Sequence, residues 1–326
     1  MRHGSYHTQC RDMSADTEGG APAQAGSRLT GGMVAVGSFV IWSFLPLYFN
    51  LIRGEVSPWE SFIHRIIWSG AALFVFLMYR GRLHTLAELC ARRRAMLALA
   101  GSALVLFGNW AVFIWAVTHG HILDVSLGFY ISPLLNVLFG FCFLKERLTR
   151  LQVAAVLLAA LGVMVAIVGY GFFPWIALLI GATFAIYGLI RKQVAVDSAT
   201  GLLFETLLVM PFTLAWMVWM YADGTAYFLQ FSWRIDLWLI GGGVIGVIPL
   251  VMFSFAARRL RLSTLGFFQY ISPTGHFLTA VFLYGEAFIA GNAIAFIFIW
   301  FGLALYTFDI WRVQRYTPAA PAPSLT

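Results

Sequence analysis

The sequence predicts an all-α membrane protein with ten transmembrane helices, arranged as two inverted repeats of five helices (5+5). The first observation is composition: 60% of the 326 residues are hydrophobic and 11% are charged, whereas soluble domains carry roughly 25% charged residues. A helix needs about 20 apolar residues to cross a bilayer. Ten stretches of about this length follow one another along the chain, at residues 33–52, 59–79, 96–117, 125–144, 151–169, 174–190, 201–221, 237–257, 264–284 and 288–308.

The second observation is the distribution of basic residues. All but three of the 21 Lys and Arg residues lie in the termini or in every second connection between the apolar stretches. The exceptions are Arg53 and Arg234, in the alternate connections, and Arg65, inside the second stretch. Cytoplasmic loops are enriched in Lys and Arg, so both termini are predicted to be cytoplasmic and the number of spans to be even. This topology accounts for the net charge of +7, and nucleic acid is not expected as a partner.

The third observation is an internal repeat. Residues 130–133 read Tyr-Ile-Ser-Pro, and residues 270–273 repeat them. Each copy is followed at the same distance by a glutamate, Glu146 or Glu286, and both carboxylates are expected to bind loop backbone at a helix end. Repeats inside a membrane domain are typical of transporters whose binding site lies between the halves.

The repeat divides the chain into two halves. The first five-helix repeat spans roughly residues 30–170 and the second roughly 174–310. Residues 1–28 and 316–326 are polar or rich in Pro and Ala, and we expect disordered tails there. Because each half has an odd number of helices, equivalent helices cross the membrane in opposite directions. Halves related in this way can exchange conformations, which would open a central cavity alternately to the two sides.

The chain resembles the EamA-type drug/metabolite transporters, and within them the RarD branch of chloramphenicol-sensitive proteins. The resemblance covers about residues 30–310 and implies an inner-membrane (plasma membrane) carrier for small metabolites or drugs. Glu146 follows a Lys, whereas the family form is the Gly-Glu seen at Glu286. The motifs that carry the resemblance are the two Tyr-Ile-Ser-Pro segments, His64-Arg65, Gly108-Asn109-Trp110, Ser263-Thr264-Leu265-Gly266 and Gln269-Tyr270.

Charged residues within the apolar stretches are the first candidates for function, because a charge at the bilayer centre is costly. Arg65 could bind a substrate carboxylate or phosphate while His64 takes up protons; alternatively, Arg65 snorkels and His64 binds a backbone carbonyl. Glu60 fits a capping box that begins at Ser57, which predicts a structural role. Glu205 occupies the corresponding place in the second half and is either a helix-start acid or a proton-coupling carboxylate.

Polar groups near the two repeated prolines are the second set of candidates. Pro133 and Pro273 should bend their helices and expose backbone carbonyls, and they are predicted to act in gating. Matched polar positions in an inverted pair favour a midplane site, although Ser, Asn and Gln also bind neighbouring helices together. The predicted substrate-binding residues besides His64 and Arg65 are Trp42, Asn109, Trp110, Tyr130, Asn136, Gln269, Tyr270 and His276.

Several classes of function are not expected. The sequence contains no phosphate-binding loop, so ATP is not predicted as the energy source, and it contains no zinc-binding motif. Three widely spaced Cys residues predict neither a disulfide framework nor a metal cluster. No metal and no cofactor are therefore predicted; the expected partners are a small-molecule substrate, the lipid bilayer and protons. The alternative is an integral-membrane enzyme acting on a lipid or lipophilic substrate, but it would gather acids, His or a nucleophile near one interface.

Overall fold

The computed structural model describes residues 20–50, 54–119, 121–170, 173–284 and 290–316, and within these ranges the chain is helical with no strand. The predicted tails therefore lie largely outside the described residues, as does Glu286. The helices are α1 (Gly20–Asn50), α2 (Pro58–Tyr79), α3 (His84–Ala91), α4 (Arg93–Thr118), α5 (Ile122–Leu144), α6 (Arg150–Tyr170), α7 (Trp175–Gln193), α8 (Ser198–Ala222), α9 (Trp233–Ala257), α10 (Leu262–Gln269), α11 (Ile271–Tyr284) and α12 (Ala290–Tyr316).

Seven of the described helices, α2 and α4 to α9, are long and apolar enough to cross a membrane. They match the second to eighth predicted stretches, which confirms an all-α, multi-pass membrane protein. The structure does not confirm all ten spans. The first stretch lies within α1, which contributes a shorter apolar segment, Leu29–Leu45, and which begins at Gly20, so residues 20–28 of the predicted tail are helical. The ninth stretch is divided between α10 and α11, and the tenth lies within α12.

The two Tyr-Ile-Ser-Pro segments fold differently. α5 continues through Pro133 without interruption, so the expected helix break is absent there. In the second copy, α10 ends at Gln269 and α11 begins at Ile271, with Tyr270 between them. Pro273 then occupies the first turn of α11, where backbone N–H groups have no intrahelical acceptor and proline is tolerated.

Glu146 caps the start of α10 from a different part of the chain. Its carboxylate accepts hydrogen bonds from the backbone N–H groups of Leu262 (2.7 Å) and Ser263 (3.0 Å), and from the Ser263 hydroxyl (2.7 Å). The first N–H groups of a helix need such acceptors, and negative charge is favoured at a helix N-terminus. Glu146 therefore binds backbone as predicted, but the backbone is that of a helix start rather than that of a loop.

The helix pair α2 and α8 packs in the antiparallel sense. Ile63, near the start of α2, belongs to the same apolar cluster as Met220, near the end of α8. Further along α2, Gly70 lies against Thr206, in the first half of α8. The two helices therefore run in opposite directions along their contact.

The pair α6 and α12 is antiparallel as well. Thr149, immediately before α6, donates a 2.6 Å hydrogen bond to Asp309 near the end of α12. Gly302, which precedes Asp309 in α12, faces Ala155 and Ala159 further along α6. The remaining principal contacts join α5 to α7 and α10, α1 to α9, α10 and α11, α4 to α7 and α8, and α2 to α9.

Large apolar side chains cover much of the outside of the bundle. Leu104 of α4, Val168 of α6 and Phe212 of α8 are each more than two thirds exposed. Contiguous apolar surface of this kind marks contact with lipid rather than water. The interior is built around an aromatic cluster in which Trp42 and Phe253 have ring centroids 5.9 Å apart.

Candidate functional site

Arg65 is held between two helices near the centre of the bundle. Its guanidinium carbon lies 3.6 Å from the ring centroid of Trp110, which is a cation–π contact between α2 and α4. On α9, Gly246 leaves room for the same side chain, because a Cβ added there would lie 3.1 Å from the Arg65 Nε. Two of the predicted binding residues are thus brought together.

A small cavity adjoins this pair. It lies between α2, α4, α8 and α9, and its volume is about 30 Å³, which is room for about one water molecule. The two hydroxyl groups in its wall donate to backbone carbonyls, Ser69 to Gly243 (2.8 Å) and Thr206 to Leu202 (2.8 Å). The lining residues are Phe62, Arg65, Ile66, Ser69, Leu106, Phe107, Trp110, Leu202, Thr206, Val247 and Leu250.

His64 belongs to a second group, which we call the Glu60 cluster: Glu60, His64, Trp68, Tyr227 and Phe228. The His64 Nδ1 accepts a hydrogen bond from the Trp68 indole N–H (3.2 Å), and its ring centroid lies 4.4 Å from that of Phe228. The His64 Nε2 lies 3.9 Å from the Glu60 Oε1. These side-chain contacts are made neither with a residue of the cavity lining nor with a backbone carbonyl.

The Glu60 carboxylate holds the loop between α8 and α9. Its Oε1 accepts the backbone N–H groups of Tyr227 (2.8 Å) and Phe228 (2.9 Å). The capping box is thus only half present: Ser57 accepts from the Trp59 N–H, but Glu60 binds the loop instead of returning to Ser57. The predicted structural role of Glu60 is confirmed with different partners.

Glu205 belongs to a third group, the Glu205 cluster: Tyr187, Arg191, Ser198, Glu205 and Ser254. The Glu205 Oε1 lies 3.4 Å from the Arg191 Nη1, and the two side chains are 0% and 1% exposed. Arg191 also donates to the Ser198 carbonyl (3.0 Å) and the Ser254 hydroxyl (3.2 Å), which contacts the Tyr187 hydroxyl (3.1 Å).

Arg191 is a residue that sequence reasoning missed. It was counted among the cytoplasmic cations, whereas the structure buries it at the end of α7. Its partner Glu205 lies on another helix, so no helical spacing connects the pair. The signal in the sequence is Glu205 itself, which lies within an apolar stretch, since a buried carboxylate needs a partner.

Asn136 and Gln269 meet at the contact between α5 and α10. The Asn136 amide donates to the Gln269 Oε1 (2.7 Å), and the Gln269 Nε2 donates to the Ser132 hydroxyl (2.8 Å). All three side chains are buried. Because Glu146, beyond Asn136 on the chain, caps the other end of α10, these two helices are antiparallel. These contacts are those of the alternative interpretation, in which amide groups bind helices together.

The other predicted binding residues lie between helices, outside the cavity lining. The Asn109 amide donates to the Ile180 carbonyl (2.8 Å) and the Thr183 hydroxyl (2.7 Å) of α7. The His276 Nε2 lies 3.0 Å from the Trp42 carbonyl oxygen. The Tyr270 hydroxyl donates to the Tyr130 carbonyl (3.3 Å).

Comparison with known proteins agrees with this architecture. The EamA-like transporter family model matches residues 29–168. An uncharacterized transporter of Vibrio cholerae is 42% identical over 85% of this chain and 91% of its own length. Protein RarD of Escherichia coli is 41% identical, covering 88% of this chain and 97% of its own length. A crystal structure at 20% identity superposes with a TM-score of 0.67, covering 86% of this chain and 98% of the other, which shows a shared fold.

The fold and the relatives together define a multi-pass, all-α membrane protein of a transporter class. The chain belongs to the EamA-like transporter family, in its RarD branch.

Proposed function

We propose that this protein is a secondary active transporter of the inner membrane, which moves a small organic metabolite or drug-like molecule by alternating access. The observation that carries the proposal is the position of the cavity, between α2 and α4 of the first half and α8 and α9 of the second. A midplane site between repeats is the arrangement expected of such carriers. Both termini are proposed to be cytoplasmic, from the distribution of basic residues.

The packing of the helices supports ten spans in two inverted repeats. On this proposal α1 corresponds to α7, α2 to α8, α4 to α9, α5 to α10 and α11 together, and α6 to α12. If each helix is replaced by its equivalent in the other half, the α1–α9 contact becomes α7–α4, and both contacts are present. In the same way the α5–α7 contact becomes the contact of α10 and α11 with α1, and both are again present. The pairs α2–α8, α5–α10 and α6–α12 join equivalent helices and are antiparallel, as inversion requires.

The Glu60 and Glu205 clusters supply the two closures that alternating access needs. Glu60 lies in the first turn of α2 and Glu205 in the first half of α8, toward opposite ends of this antiparallel pair, and Leu202 and Thr206 on either side of Glu205 line the cavity. A cavity with room for about one water molecule is too small for an organic solute, which fits a state that has not opened around a substrate. Opening one cluster at a time would connect the cavity to one side only.

Proton coupling through His64 or Glu205 is part of the proposal. A proton on His64 would turn its 3.9 Å contact with Glu60 into an ion pair, and a proton on Glu205 would weaken its pairing with Arg191. Two further carboxylates face the Glu60 cluster: Asp236 of α9, which accepts the Leu229 N–H at 2.9 Å, and Glu55, which lies beside the Tyr227 hydroxyl. Either step would bias one closure over the other.

Transport by purified protein in liposomes tests the proposal. We expect a radiolabelled candidate solute to exchange across the membrane with its chemical structure unchanged, and to accumulate in response to an imposed pH gradient. The absence of any exchange by folded, correctly inserted protein would contradict the transport function. Accumulation that ignores the pH gradient would contradict only the coupling.

Chemical conversion of the solute would instead favour the lipid-acting enzyme. The positions of the acids favour transport, because Glu60 and Glu205 lie toward opposite ends of a helix pair, whereas a lipid-acting enzyme would need its acids at one interface.

A further inference from the structure

We infer that the ligand of the central cavity is an organic anion, whose carboxylate or phosphate group binds Arg65 and whose apolar body lies against Trp110. Calling this ligand the transported substrate rests on the proposed function. The anion site itself rests on the chemistry of the cavity wall.

The charge of the wall is the first argument. Among the described residues that line the cavity, Arg65 is the one that carries a charge. The hydroxyl groups of Ser69 and Thr206 direct their hydrogens to backbone carbonyls, so these hydrogens are not offered to a ligand and the charged donor in the wall is Arg65. A cation in a wall of low polarity attracts an anion more strongly than it would in water, and it repels an amine of the same size.

The orientation of the guanidinium is the second argument. Trp110 stacks on its face at 3.6 Å, and Gly246 accommodates its Nε from the side of α9. Carboxylate and phosphate bind a guanidinium at its edge, by two parallel N–H···O bonds in the plane of the group. Stacking on the face and anion binding at the edge can therefore occur together, and the stacking fixes the geometry in advance.

The rest of the wall indicates the body of the ligand. Phe62, Phe107, Leu202, Val247 and Leu250 are apolar and come from α2, α4, α8 and α9. Pockets for small molecules are mostly apolar with a few placed polar groups, which set the orientation of the ligand. The arrangement fits an amphiphilic acid with an aromatic or branched carbon skeleton, admitted when the bundle opens.

A binding screen with matched probes tests the inference. Full-length protein in a neutral maltoside detergent would be heated with three sets of compounds on the same phenylalkyl and branched-alkyl skeletons: carboxylates and phosphates, primary amines, and alcohols. We expect a rise in the thermal midpoint with members of the acidic set, and none with the amine or alcohol on the same skeleton. Isothermal titration would then give the dissociation constant of each binding acid.

Arg65 variants decide whether the cavity is responsible. Arg65→Gln should abolish the shift, and Arg65→Lys, which keeps the charge without the planar fork, should weaken binding about tenfold or more. The matched control is Arg80→Gln: Arg80 follows α2, and its guanidinium lies 5.9 Å from the Phe76 ring at an exposed position. The Arg80→Gln substitution removes the same charge at a position outside the cavity. The variant should therefore bind the acids like the unchanged protein.

Three results would overturn the anion site: no shift with any acid, equal shifts with the amine or alcohol, or an acid shift that survives Arg65→Gln. If Arg65→Gln does not yield folded protein, Arg65→Lys decides, because unchanged acid affinity in that variant would also overturn the site. An acid that binds through Arg65 but is not exchanged by liposomes would contradict transport and leave the site in place. Exchange of an amine or alcohol that does not depend on Arg65 would support transport and contradict the anion site.

Discussion

Two buried glutamates, Glu60 on α2 and Glu205 on α8, lie toward opposite ends of this helix pair, yet their partners differ in kind. Glu205 faces the guanidinium of Arg191 at 3.4 Å. Glu60 accepts two backbone N–H groups, and its nearest cationic candidate is His64 at 3.9 Å. An imidazole has a neutral form as well as a charged one. On the proposed function, the two halves share a scaffold, while the group that would take up a proton differs between their closures: His64 in the Glu60 cluster and Glu205 itself in the other.

The largest expected effect comes from breaking the Glu205 cluster. Removing one partner of a buried ion pair typically costs about 3–5 kcal/mol, because the other charge is left uncompensated. We therefore expect Arg191→Met to lower the thermal midpoint of the purified protein sharply. Adding Glu205→Met should recover much of the loss, since apolar replacement of a whole buried pair is often neutral. A double variant as unstable as the single one would show that the pair itself is not the source of the effect.

A smaller effect is expected from displacing Arg191 without removing it. A Cβ at position 201 would collide with the Arg191 Nη1, so Gly201→Ala should destabilise by about 1–3 kcal/mol, the usual cost of overpacking. Gly101 is the control, because nothing lies within 4 Å of a Cβ added there. Gly101→Ala should stabilise α4 slightly, and equal destabilisation of both variants would contradict the packing argument.

At the other end, Glu60→Gln should loosen the loop. The amide keeps an acceptor oxygen but loses the charge, which weakens its hydrogen bonds by about 1–2 kcal/mol. Hydrogen exchange of the Tyr227 and Phe228 amides should become several-fold faster. Asp223→Asn removes the same charge from an exposed position at the end of α8 and should leave these amides unchanged. Equal acceleration by both variants would assign the effect to net charge.

The smallest effect on stability, and the sharpest test of the comparison, is expected from His64→Gln. Glutamine keeps a polar side chain that can accept from Trp68 but cannot take up a proton. If the Glu60 cluster is the pH-dependent closure, the variant should lose the dependence of the transport rate on pH that the unchanged protein shows, because glutamine cannot gain a proton. Exchange of a binding acid into liposomes would be measured for both proteins across a series of pH values. A dependence that persists in the variant would place the control elsewhere.

Much of the fold could be predicted from the sequence, because bilayer thickness imposes a length on each apolar stretch. The second to eighth stretches are confirmed, and the Glu146 cap follows from its place at a helix end. The same four letters at 130–133 and 270–273 nevertheless produce a continuous helix and a broken one. Local sequence cannot decide between them, because proline is tolerated both in a first turn and in a helix whose neighbours satisfy the freed carbonyl.

The candidate site could be predicted only in part. Arg65 and Trp110 come together as the sequence analysis expected of binding residues, whereas Asn109, Asn136 and Gln269 are occupied by other helices. Polar residues at membrane depth look alike in a sequence whether they bind a ligand or a neighbouring helix. Contacts between segments that are distant in the sequence distinguish a ligand-binding residue from one that binds a neighbouring helix. The pairing of Arg191 with Glu205 is also a contact of this kind, so the sequence does not reveal it.

The hydrogen bonds that join the Asn136 and Gln269 amides and the Ser132 hydroxyl lie midway along α5, where that helix contacts α10. On the proposed two-fold relation, this contact is close to the axis about which the halves rock, so displacement there is smallest while the extremities separate most. Hydrogen bonds close to this axis can remain intact through the whole proposed transport cycle. Because hydrogen bonds are directional, they would keep the two halves aligned during this motion better than apolar contacts would.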